Sequence, residues 1–96
     1  MAIKRKRVRE WDDGDSGIFT DGTRFRLNRV RAHEKNQFGG PTATRTVAGM
    51  TGRTKGFVKV KKVTTDKYGR AIVDMWNKDG SINKRMVRKG YKNRGR

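Results

Sequence analysis

Thr65-Asp66-Lys67-Tyr68-Gly69-Arg70 stands between two runs of strand character, Phe57 to Val63 and Ala71 to Trp76. Six residues bring together two cations, an aromatic ring and a glycine. A turn there can set a guanidinium and a ring on the same side of a sheet. A site that handles phosphodiesters wants both, because arginine binds phosphate with two parallel hydrogen bonds and a base stacks on tyrosine. On this stretch alone a plain hairpin turn with a chance pair of basic residues is the better reading, so its neighbours must decide.

Upstream, Pro41 to Arg53 predicts a helix. Proline suits a first turn, and Ala43, Val47 and Met50 recur at spacings of three and four. Further back, Ile18-Phe19-Thr20 predicts a short strand, Asp21-Gly22 a two-residue hairpin turn, and Thr23 to Val30 the returning strand. Within that strand Phe25 and Leu27 share one face, with Arg24, Arg26 and Asn28 on the other. Lys4 to Arg9 reads as a first strand emerging from a basic arm, and Asp12 to Gly17 as a turn. Downstream, Lys78-Asp79-Gly80 reads as a turn. Ser81 reads as the N-cap of a helix running to Lys89, with Ile82, Met86 and Val87 inward and Gly90 as its stop.

The order β, β, β, α, β, β, α predicts an α+β fold, a small five-stranded Greek-key barrel of the OB type. One helix is inserted after the third strand and a second closes the fold. Ninety-six residues leave room for one core. The expected division is a basic arm and first strand over 1–10, the barrel domain over 11–90, and a basic tail over 91–96.

Lysine and arginine number 26 against 9 acids, a net charge of +17. That balance points to a polyanion, nucleic acid before an anionic membrane. No apolar run approaches membrane-spanning length, and no membrane partner is expected. Cysteine is absent, which excludes disulfides and thiolate metal sites, and the lone histidine, His33, cannot build a zinc site. The basic start has no apolar segment after it, so no export signal is expected and a cytoplasmic monomer is the default.

Six segments, taken in order, resemble the staphylococcal nuclease family: Asp13-Gly14-Asp15-Ser16, Phe25-Arg26-Leu27, Val30-Arg31-Ala32-His33-Glu34, Gly40-Pro41, Thr65 to Arg70, and Val87-Arg88-Lys89-Gly90. The resemblance implies hydrolysis of DNA phosphodiesters, with RNA left open, by in-line attack of water. Arg26 and Arg70 then stabilise the charge that develops on phosphorus, and Glu34 is the general base or orients the water. Asp15 lends a carboxylate to calcium, a cation that prefers oxygen ligands. Lys67 and Tyr68 contact a flanking phosphate and a base.

Arg31 departs from the family pattern, which has an aspartate there that helps hold calcium. Arginine has no lone pair to offer a cation. Two outcomes stay open: metal affinity and turnover both fall, or the guanidinium, itself then a substrate contact, takes over part of the cation's role. Each residue also has a plainer reading. Arg26 suits a solvated basic face, Asp15 a turn, and Arg70 can simply pair with Asp66. Two non-catalytic readings remain beside the nuclease, a nucleic-acid-binding OB module and a ribosomal-type protein.

Overall fold

The computed structural model describes residues 3–31 and 40–91. Strand β1 (Lys4–Asp13) pairs antiparallel with β2 (Ser16–Phe19), which pairs with β3 (Arg24–Leu27). Helix α1 (Gly40–Gly52) leads to β4 (Phe57–Thr65), which lies between β1 and β5 (Ala71–Asn77). A two-residue strand, β6 (Gly80–Ser81), hooks onto β5 and runs into α2 (Ile82–Arg88). Parallel pairing of β3 with β5 closes the β3-β2-β1-β4-β5 sheet into a five-stranded barrel. Closure removes the free edges an open sheet would present.

The core follows the alternation of the strands. Phe25 and Leu27 of β3 point inward, as do Val58 and Val60 of β4 and Ala71, Val73 and Met75 of β5. The Phe25 ring stacks on Phe19 at 4.3 Å and meets the edge of Trp11 at 5.1 Å. One barrel end is covered by Val47 and Met50 of α1, and Ile82 and Met86 of α2 add to the same cluster. Helix α1 is rich in threonine, a poor helix former. Three threonine hydroxyls donate back to carbonyls four residues earlier, at 2.8–3.2 Å, and the buried apolar stripe outweighs the weak propensity. Thr51 also accepts from the Trp11 indole N–H at 3.0 Å, which ties α1 to β1.

Several element ends differ from the sequence-based expectation. β1 runs on to Asp13, so the expected turn over Asp12 to Gly17 contracts to Gly14 and Asp15. The β2–β3 connection has four residues rather than two: Gly22 N–H donates to the Phe19 carbonyl at 3.0 Å, and Thr23 N–H to the Asp21 carboxylate at 2.9 Å. β3 stops at Leu27 because Arg29 takes a left-handed φ of 62°, which no strand accommodates. Helix α2 has Ser81 as its N-cap, with the Ser81 hydroxyl accepting from Lys84 N–H at 3.1 Å, and Gly90 follows at φ 98°.

Candidate active site

The parallel β3–β5 register sets Arg26 opposite Ile72. Ile72 faces outward between the buried Ala71 and Val73, and Arg70, two residues earlier, continues the same outward alternation. Barrel closure thus brings the two candidate arginines, 44 positions apart in sequence, to one outer face. Asn28 extends that face, its amide donating to Asp74 of β5 at 3.2 Å.

Arg26 is half-buried and has no carboxylate partner among the described residues. Other arginines are engaged: Arg24 with Asp12 at 3.3 Å, Arg53 with Asp79 at 3.0 Å and Arg70 with Asp66 at 2.8 Å. A partly desolvated guanidinium that meets no fixed counter-charge among the described residues can take an anionic ligand.

The Thr65 to Arg70 turn is organised by Asp66. One carboxylate oxygen accepts from the Tyr68 and Arg70 amides, both at 2.9 Å, and the other from Arg70 Nε at 2.8 Å. Partial burial opposes ionisation of Asp66, but the Arg70 and Tyr68 donors outweigh it and hold its carboxyl below the usual range. The expected alternative pairing of Arg70 with Asp66 is therefore present. It uses Nε, and no hydrogen bond from the two terminal nitrogens is made among the described residues. Gly69, at φ 80°, lets the chain return to β5. Tyr68 is 71% exposed, with the Arg70 guanidinium 5.4 Å and the Lys67 ammonium 5.1 Å from its ring centre. The turn therefore does place two cations beside one open ring.

Asp15 is buried in the β1–β2 turn, and its carbonyl accepts from Leu27 N–H at 2.7 Å. The turn is thereby fixed against β3, one residue beyond Arg26. Arg31 is exposed, and its amide donates to the Tyr91 carbonyl at 3.1 Å, tying the chain after β3 to the end of α2. Glu34 and His33 lie outside the described residues. Among the described residues no three His, Cys, Asp or Glu side chains group to hold a metal. With arginine at position 31, the described residues do not fit a calcium site.

Asn83 escaped the sequence reading. It is buried on α2, where its amide donates to the Asn28 and Val73 carbonyls at 2.9 and 3.1 Å and its oxygen accepts from Met75 N–H at 2.7 Å. This one side chain locks α2 to β5 and to the chain just past Arg26. Its place directly after the inward-facing Ile82 was the signal available.

Compared with models of known families, residues 24–94 match the one described as Staphylococcal nuclease homologue. No curated protein sequence matches the chain. The match spans β3 through α2, the segment that carries both candidate arginines and the Asp66-organised turn. With most of its length matched and a closed barrel bearing two helices, the chain belongs to the staphylococcal nuclease homologue family.

Proposed function

We propose that the chain is a nuclease that hydrolyses phosphodiester bonds of DNA, and of RNA where the strand fits, by in-line attack of water. The observation that carries this reading is the β3–β5 pairing, which sets Arg26, without a carboxylate partner among the described residues, and the oriented Arg70 on one face. Negative charge grows on the equatorial oxygens as water adds to phosphorus. Two preorganised guanidinium groups favour that state over the ground state, and only such differential binding lowers the barrier. Glu34 orients or deprotonates the water, and Lys67 and Tyr68 hold the flanking phosphate and base. Asp15 supports the site beside β3.

Cleavage of single-stranded and duplex DNA in calcium, in magnesium and in chelator tests the proposal, with Glu34→Gln and Arg26→Ala as controls. Each substitution should lower kcat by about a hundredfold or more. Cleavage that persists undiminished in both variants would overturn it. Arg31→Asp returns the family's carboxylate and should add calcium dependence to the rate. An unchanged calcium profile would remove Arg31 from the account of metal use.

One observation favours a binding module instead: Asp66 and Tyr68 already occupy part of the Arg70 guanidinium. Tight, salt-dependent binding with no cleavage in any of the three conditions would select that reading.

A further inference from the structure

Three strands present a second basic surface whose residues take no part in the site above. Arg5 of β1 lies opposite Lys59 of β4, and Lys59 lies opposite Trp76 of β5, so the three line up across the outer face. Arg7 lies opposite Phe57 in the same manner. Phe57 is 39% exposed, and the guanidinium carbons of Arg5 and Arg7 sit 4.8 and 5.2 Å from its ring centre. Arg7 is held in place by its Nε, which donates to the Lys55 carbonyl at 3.1 Å.

Two open grooves meet at Arg5 and Phe57. One, of about 340 Å3, runs past Lys59 and Trp76 to Lys78 and has no acid in its lining. The other, of about 730 Å3, runs along Lys4 to Arg7, and its one acid, Asp21, is bound by Lys6. Neither includes Arg26, Arg70 or Asp15. Trp76 is six residues beyond Arg70, about 20 Å at the usual rise of a strand.

We infer that this strip, Arg5, Arg7, Phe57, Lys59, Trp76 and Lys78, is a binding surface for an unpaired nucleic-acid strand, separate from the phosphodiester site. The cations match a phosphate backbone. The half-buried indole of Trp76 and the exposed ring of Phe57, with two guanidinium groups beside it, offer flat surfaces to bases, which a duplex keeps within its own stack. An acidic peptide would meet the charges but leave the flat surfaces unused. The inference shares only its ligand class with the proposed nuclease activity and holds whether or not the bound strand is cut.

Binding is measured in chelator by fluorescence anisotropy, with a labelled oligothymidine of about twenty nucleotides and the same length of duplex, on the whole chain. Arg5→Glu with Lys59→Glu should weaken single-strand binding by about tenfold or more, while Lys84→Glu on α2 with Lys89→Glu at its C-cap, an equal change of charge, costs under about threefold. Trp76→Ala should weaken it by about fivefold or more and Trp76→Phe much less, with thermal melting confirming that each variant is folded. Equal losses from the two charge-reversed pairs would overturn the inference, as would duplex bound at least as tightly as the single strand. Displacement of the oligothymidine by an equal concentration of polyglutamate would also overturn it. Because no turnover is needed, a failure here leaves the nuclease proposal standing, and the reverse is equally true.

Discussion

Asn83→Ala removes three hydrogen bonds from the junction of α2, β3 and β5. The Val73 carbonyl keeps a partner, since Asn28 N–H also donates to it at 2.8 Å. The Met75 N–H and the Asn28 carbonyl lose the bonds that Asn83 supplies. An orphaned buried group costs about 1–3 kcal/mol, so two cost about 3–4 kcal/mol with partial relaxation. Domains of this size hold about 5–14 kcal/mol in all, and one with 31% hydrophobic residues belongs toward the lower end. At about 4–8 °C per kcal/mol, the melting temperature should fall by about 12–32 °C. Thermal unfolding followed by far-ultraviolet circular dichroism, with urea midpoints alongside, reads the effect. Ser81→Ala, which removes only the α2 cap, provides the scale at about 1 kcal/mol. A drop for Asn83→Ala no larger than that for Ser81→Ala would refute the reasoning, because it would mean water reaches the junction.

Gly17→Ala should destabilise by about 3 kcal/mol or more, since its Cβ would lie 2.4 Å from the Glu10 carbonyl oxygen and 3.0 Å from the Phe25 ring; urea unfolding checks this. Asp66→Asn keeps an oxygen for the turn amides but removes the charge that directs Arg70, so kcat should fall by about tenfold or more with little change in melting temperature. Asp21 is held down to about 2 from 3.8, chiefly by its hydrogen bond from Lys6. A depressed folded pKa stabilises above the unfolded value, so its contribution is complete above about pH 4 and is lost as pH falls toward about 2. Solvent screening limits this exposed pair to under about 1 kcal/mol, and Asp21→Asn should flatten that part of the acid-unfolding curve.

Much of the fold is legible locally. The alternation of Phe25 and Leu27 with Arg24 and Arg26 determines which face of β3 is buried, because side chains of a strand alternate by geometry alone. Ser81 and Gly90 mark the ends of α2 because capping is settled within a few residues. Asp66 to Arg70 declares a turn, and its chemistry is complete within five positions. Strand ends were harder to read: β3 stops where Arg29 turns left-handed, and arginine gives no local warning of that conformation.

The candidate site divides along the same line. Its residue types, arginines beside a ring and a carboxylate near a turn, were visible in the chain. That Arg26 and Arg70 share a face depends on the parallel β3–β5 pairing, a contact across 46 positions that no local pattern encodes. The outer strip of Arg5, Lys59 and Trp76 likewise exists only once β1 and β5 flank β4. Sequence by itself determined the elements, the basic character and the residues capable of the chemistry, because propensity and periodicity act over a few residues. Tertiary structure alone decided which of those residues meet, because barrel closure is driven by burial of the whole core and is indifferent to distance along the chain.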